Sequence, residues 1–312
     1  MIIPLKTLIF TFMRKTLILV LAILSATLLT SCGSRSSGPV PVCHLLVCCR
    51  GYNSGSTFLV QDNWNPAHDY RDIAQVRDIL QKIKEAGINV VSIDFTNPSQ
   101  WEAWDEYGKM LDNIVTVCHE KEMEFLIFIG NPAAWTMKYW NGIAGKIWDK
   151  YAQDPSYRRY GFGDDRPLMV VFLPGESFWP LWENTPDEEK DNLKKFRLGT
   201  CQVNDPIDPC PSDGWGYRNI SESSDGAVRF CSPNSGVPPQ DWARVDAAEW
   251  ERRVGWALGA KEYAVIGSYD DTCDAIHWGI SDASASERPA HINPSTVNDP
   301  FIYYNIVKKA LK

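Results

Sequence analysis

Three carboxylates stand within five positions of the segment GSYDDTCDAIHW, residues 267–278: Asp270, Asp271 and Asp274. They follow directly on the apolar run EYAVI, residues 262–266. Like charges a few ångströms apart repel. Such a cluster behind a buried strand therefore serves a divalent metal, a helix N-terminus, or a pair of carboxyl groups with different proton affinities. An Asp-rich loop is also the ordinary composition of a solvated turn, because Asp hydrogen-bonds its own backbone. Of these readings the carboxyl pair does the most chemistry. One group, desolvated by an apolar wall such as Trp278 or Tyr269, keeps its proton and acts as acid, while the other stays ionised and acts as base. That assigns Asp274 as acid and Asp271 as base.

Other polar residues stand in the same relation to an apolar run. Tyr52 and Asn53 follow HLLVCC, Asp94 closes VVSID, Asn131 follows MEFLIFIG, and Glu176 follows RPLMVVFLPG. Glu176 is a third carboxylate able to replace either partner, or to bond backbone or the hydroxyls of a ligand. Their convergence depends on what positions them. Between the apolar runs lie segments with apolar residues at helical spacing, among them YRDIAQVRDILQKIKEAG, YGKMLDNIVTVCHEKE, IAGKIWDKYAQDPSY and AAEWERRVGWALGAK. Strands apolar throughout and separated by helices predict a parallel sheet covered on both faces. After the first strand, RGYNSGS lacks both the Walker lysine and the dinucleotide fingerprint. The expectation is therefore an α/β fold, a single (β/α)8 TIM barrel over residues 43–312, with the polar strand ends gathered at its carboxyl mouth.

Residues 1–32 stand outside that domain. From Met13 onward, MRKTLILVLAILSATLLTSC has a basic start, an apolar run too short for a comfortable membrane span, and small residues before a cysteine. Leu29-Thr30-Ser31-Cys32 resembles a bacterial lipobox, which implies lipidation at Cys32, anchoring in the cell envelope and a flexible Gly/Ser/Pro tether over residues 33–42. Without Lys6, Arg14 and Lys15 the formal net charge moves from −8 to −11. An acidic domain is a poor partner for nucleic acid, and a neutral substrate suits it better. Of nine cysteines, Cys43, Cys48, Cys49 and Cys118 read as small buried residues. Cys201, Cys210 and Cys231 lie in a Pro/Gly/Asp-rich stretch where a disulfide between two of them is expected. No Cys/His spacing resembles a zinc site, and His44 and His277 read as core or hydrogen-bonding residues, so neither metal nor cofactor is expected there; the alternative left open is a Ca²⁺ or Mg²⁺ site on the oxygens of Asp270, Asp271 and Asp274.

Thirteen tryptophans, among them Trp64, Trp101, Trp104, Trp135, Trp140, Trp179, Trp182 and Trp215, fall mainly in segments after strands. Some must be packing residues, and the others suit the flat apolar face of a pyranose. The runs HLLVCCRGYNSG, DYRDIAQVRDILQKIKEAGINVVSIDFTNPSQW, IWDKYAQDPSYRRYGFGDDRPLMVVFLPGE and GSYDDTCDAIHWG resemble, in order, segments of glycoside hydrolase family 71 and its relative family 99. That resemblance implies a barrel enzyme acting on α-linked glucans or mannans. The family 71 motif Asn-Asp-Tyr-Gly-Glu-Ser-His lays its Asp on Asp271 and its Glu on Asp274, while Asp270, Ala275 and Ile276 replace its Asn, Ser and His. Glycoside hydrolysis needs one protonated and one ionised carboxyl group, which Asp274 and Asp271, with Glu176, supply. An inverting hydrolase is the expectation. Sugar contacts are expected from Tyr52, Asn53, Asp94, Asn131, Trp135, Trp179, Trp215 and Trp278. The competing function is a non-catalytic glycan-binding lipoprotein on the same barrel.

Overall fold

In the computed structural model the described residues are 38–47, 59–60, 68–95, 104–130, 136–172, 175–201, 210–212, 215, 220–233, 245–267 and 301–312. All of these described residues belong to the compact unit Gly38–Lys312. The chain alternates as expected up to α4, after which β5 and β6 follow with no helix described between them: β1 (Val40–Leu46), α1 (Ile73–Glu85), β2 (Val90–Phe95), α2 (Trp104–Glu120), β3 (Glu124–Ile129), α3 (Met137–Ile147), β4 (Asp164–Val171), α4 (Gly175–Asn184), β5 (Arg197–Thr200), β6 (Val228–Cys231), α5 (Ala247–Ala257), β7 (Tyr263–Gly267) and α6 (Ile302–Ala310).

Local sequence accounts for these boundaries. Asp72 caps α1 through its carboxylate to the Ala74 amide at 2.9 Å, and Gly87 takes the left-handed conformation (φ 96°) that stops the chain beyond it. Val76, Ile79, Leu80 and Ile83 then repeat on one face, and all are buried. Thr136 caps α3, which starts earlier than the sequence expectation at Ile143 and widens into a π-turn over Trp148–Ala152. Asp246 caps α5 by accepting from the Glu249 amide at 2.8 Å.

Hydrogen-bonded in parallel, the seven strands run in the order β5-β4-β3-β2-β1-β7-β6. Two hydrophobic layers result from the period-2 alternation of strands. Cys43, Leu45, Val91, Ile93, Phe125, Ile127, Ala264 and Ile266 face the helices. Val42, Val90, Leu126, Phe128, Leu168, Val170, Val228, Phe230, Tyr263 and Val265 face inward and form a second cluster.

The inward cluster shows that the sheet is curled. In a flat sheet β5 and β7 would lie five strand spacings apart, about 24 Å. One indole, that of Trp215, nevertheless spans them. A Cβ on Gly199 of β5 would fall 2.7 Å from its ring, and Tyr263 of β7 packs on it at 5.4 Å. At the amino end Arg158, just before β4, donates to Tyr263 Oη at 3.3 Å and to Glu124 Oε2 at 2.7 Å, lacing β7 to β3.

The fold is thus α/β with a parallel-dominated, barrel-like sheet. Among the described residues no ladder joins β5 to the opposite margin, where the expected eighth strand would close the ring. That margin carries instead Ile220–Ser223, antiparallel to β6, with Cys210–Ser212 parallel beyond it. A cavity of about 180 Å³ lies at the seam, lined by Arg197, Gly199, Trp215, Ser223 and Asp225 among others.

The expected staple is corrected in part. Cys231 is a free buried thiol facing the helices, so it takes no part in a bridge, and Cys118 is likewise free and buried. Cys201 faces inward, on the opposite side of the sheet. Desolvation raises the proton affinity of both Cys118 and Cys231, which makes them inert packing residues.

Candidate functional site at the carboxyl mouth

β1 alternates between the two layers, so Val42 and His44 point inward while Cys43 and Leu45 meet the helices. β2 does the same with Val90, Ser92 and Asp94, flanked by the outward-facing Val91, Ile93 and Phe95. The ladder pairs His44 with Ser92 and Leu46 with Asp94. The result is a line of three polar side chains inside an apolar barrel. His44 Nδ1 lies 3.3 Å from Ser92 Oγ, and His44 Nε2 lies 3.4 Å from Asp94 Oδ2. His44 and Asp94 are 2% and 3% exposed.

Phe128 of β3 and Phe230 of β6 present their edges to the imidazole at 5.1 and 5.9 Å. Gly267 pairs with His44 on the other flank, and a Cβ there would fall 2.7 Å from the Phe230 ring. Glycine at this strand end lets Phe230 close over the interior beside the histidine. Burying a carboxylate this deeply is costly without a partner, and the His44 imidazole lies within ion-pair distance of Asp94.

Asp94 is the one sequence-expected polar ligand whose side chain is described at the mouth, and it occupies the strand-end position assigned to it. Glu176 is the second residue of α4, at the helix N-terminus that follows β4, and its side chain lies outside the described residues. Trp179 sits in α4, half-buried, with Phe178 at 4.9 Å and Trp182 at 6.2 Å. Trp215 is 3% exposed and packs between Tyr263, the first residue of β7, and Gly199 of β5. Trp179 and Trp215 share the lining of the seam cavity. Tyr52, Asn53, Asn131, Trp135, Asp270, Asp271, Asp274, His277 and Trp278 lie outside the described residues, as does Cys32.

Among the other tryptophans, Trp140 is fully buried within α3 against Phe178, and Trp182 lies in α4, so these two belong to helices rather than loops. The expectation overlooked Ser92 and read His44 as a core or hydrogen-bonding residue. Both sit on inward positions of otherwise apolar strands, which is the signal that would have joined them to Asp94. Among the described residues no group of three His, Cys, Asp or Glu side chains is placed to hold a metal ion, and no helix is long and apolar enough to cross a membrane.

No family model matches the chain, and no curated protein matches it either. Among solved structures, the chain is similar to the GH99 endo-alpha-mannosidase of Bacteroides thetaiotaomicron in complex with BIS-TRIS-Propane. That match has 10% identity and a TM-score of 0.47 and covers 87% of this chain and 98% of that one. A second structure of the Bacteroides thetaiotaomicron enzyme gives 9% identity and a TM-score of 0.46 over 87% and 98% of the two chains. A glycoside hydrolase-like protein gives 10% identity and a TM-score of 0.48 over 90% of this chain and 96% of its own. Overlaps this loose assign neither family nor activity, and the fold stands on the sheet described above.

Proposed function

We propose that the chain is a glycoside hydrolase acting on α-linked glucans or mannans at the carboxyl mouth of its barrel. The observation that carries this reading is the polar line Ser92–His44–Asp94, buried at the end of the barrel where parallel α/β folds place their chemistry. β7 ends beside it, with Gly267 paired to His44. Asp271 is four residues further along, which bounds its Cα within about 14 Å of that strand end.

In this reading Asp274 is the acid and Asp271 the base, with Glu176 as the third carboxylate. Asp94 accepts from a sugar hydroxyl. Tyr52, Asn53, Asn131, Trp135, Trp179, Trp215 and Trp278 supply further sugar contacts. The signal is removed just before Cys32, which is lipidated as the new N-terminus, so the domain works from the bacterial cell envelope. The stereochemical outcome proposed is inversion.

A second reading, a glycan-binding lipoprotein without hydrolysis, is favoured by one feature: Asp274 is one methylene shorter than the Glu of the resembled motif. Incubating the purified domain with a panel of α-glucans and α-mannans separates the two. Release of reducing ends, with the first-formed anomer inverted by NMR, supports the proposal. Binding without release supports the second reading, and neither binding nor release contradicts both. A retained anomer keeps the hydrolase and overturns inversion.

A further inference from the structure

We infer that the seam cavity between β5 and the Ile220–Cys231 hairpin is a second sugar site that takes one neutral pyranose unit; it stands independently of the hydrolysis proposed at the mouth. Its place in the fold separates the two. Arg197 is the first residue of β5, and the turn Ser223–Ala227 leads into Val228, the first of β6, which pairs with Tyr263, the first of β7. The cavity that Arg197, Ser223, Asp225 and Val228 line therefore stands at the amino ends of the strands. Asp94 and Gly267 stand at the carboxyl ends of theirs.

Barrels of this class fill their interior with layers of side chains, so about 180 Å³ left open is a departure from the pattern. Small residues, Gly199, Ser223 and Ala227, make the room. The space is on the order of six waters' share of liquid volume, the bulk of a single sugar ring. Its lining combines the two surfaces that such a ring needs. Trp179, half-buried in α4, offers an indole to the apolar C–H face, and Trp215, clamped between Gly199 and Tyr263, gives a rigid floor. The charged groups of the described lining are one arginine and one aspartate. The Arg197 guanidinium lies 4.9 Å over the Tyr160 ring and gives one of its five N–H groups to the Leu198 carbonyl at 3.1 Å. The Asp225 carboxylate is held by Ser223 Oγ at 2.8 Å and the Ala227 amide at 2.9 Å, and a carboxylate accepts about four such bonds. A guanidinium only gives and a carboxylate only accepts, so together they suit vicinal hydroxyls, which do both. One positive and one negative charge suit a neutral ligand better than a phosphate or an amine.

The test is a titration of the protein with methyl α-D-mannopyranoside and methyl α-D-glucopyranoside, followed by ¹H–¹⁵N NMR of the indole groups. The Trp179 and Trp215 resonances should shift together along one saturable curve with at least one of the two sugars. Asp225→Asn, which keeps an acceptor for the Ala227 amide, and Arg197→Gln should each weaken that binding by about 10-fold or more at unchanged melting temperature, because a hydrogen bond to a charged group is worth about that much. Ser224→Trp, at the exposed rim of the cavity, should block entry. Asp271→Asn, at the mouth, should leave the curve as it is. No saturable shift at either indole, or an affinity that Asp225→Asn, Arg197→Gln and Ser224→Trp all leave intact, would overturn the inference. A curve lost in Asp271→Asn would move the binding to the mouth and overturn it as well. Protein that binds sugar at the seam and hydrolyses no α-glycan upholds the inference and sinks the hydrolase reading alone.

Discussion

Glu249 in the first turn of α5 carries an arginine clamp whose removal has a calculable effect. Its Oε1 accepts from Arg253 Nε at 2.7 Å and from Arg252 Nη2 at 2.8 Å, and its Oε2 accepts from Arg252 Nε at 2.7 Å. Arg253, 7% exposed, reaches on to the Ser232 carbonyl at 3.1 Å, just past the end of β6. The clamp therefore ties α5 to the strand that supplies Phe230 beside His44. Hydrogen bonding from Arg252, joined by that from Arg253, pulls the Glu249 carboxyl from its usual 4.5 down to about 2.

That depression sets a ceiling of about 3 kcal/mol on the ionised form's contribution. Glu249 is 31% exposed, and solvent screening brings the expected loss for Glu249→Gln to about 1–2 kcal/mol at pH 7. The sign follows from the direction of the shift. A carboxyl whose proton affinity is lowered by folding contributes fully above its unfolded value near 4.5, and the contribution fades as pH falls toward about 2. Urea melts of wild type and Glu249→Gln should differ at pH 7, and the gap should shrink as the pH is lowered from about 4.5 toward 2. A gap of equal size at pH 7 and pH 3, or no gap at pH 7, would refute the argument.

Two further perturbations probe other parts of the account. Gly267→Ala places a methyl 2.7 Å from the fully buried Phe230 ring and 3.2 Å from Ser232 Cβ. It should destabilise the domain by about 1–3 kcal/mol in denaturant melts, and unchanged stability would contradict the packing described around His44. If Cys32 is the lipid attachment site, Cys32→Ala should shift the protein from the membrane to the soluble fraction, whereas full retention in the membrane fraction would count against anchoring.

The β-strands and helices up to β4 were legible because each has a strong local signal. FLIFI is apolar throughout and VVSID is mostly so, and the helices beside them carry one-sided apolar faces closed by residues such as Asp72 and Gly87. The α/β class and the parallel order follow from that alternation. The stretch from residue 197 to 231 was not legible. β5 is four residues long, and Ile220–Cys231 forms a hairpin closed by Asp225 and Gly226 rather than a helix-linked strand. Short strands carry too few positions to show a period. At the site, Asp94 stood out because a carboxylate ending an apolar run has no packing explanation. Ser92 and His44 did not, since each looks ordinary alone and gains meaning only when β1 and β2 pair in register. Trp140 shows the opposite failure, because an aromatic count cannot tell a sugar platform from a core side chain buried within α3.

The central claim is that Asp271 and Asp274 perform acid/base hydrolysis of an α-glycan at this mouth. Its most direct test is kcat for Asp271→Asn and Asp274→Asn, measured beside melting temperature and sugar affinity. Asn is nearly isosteric but can neither give nor take the catalytic proton. Each variant should lose about 10²- to 10⁴-fold in kcat while stability and sugar affinity hold, and Asp270→Asn should lose much less. Near-wild-type kcat in both Asp271→Asn and Asp274→Asn would contradict the claim and move the search to Glu176.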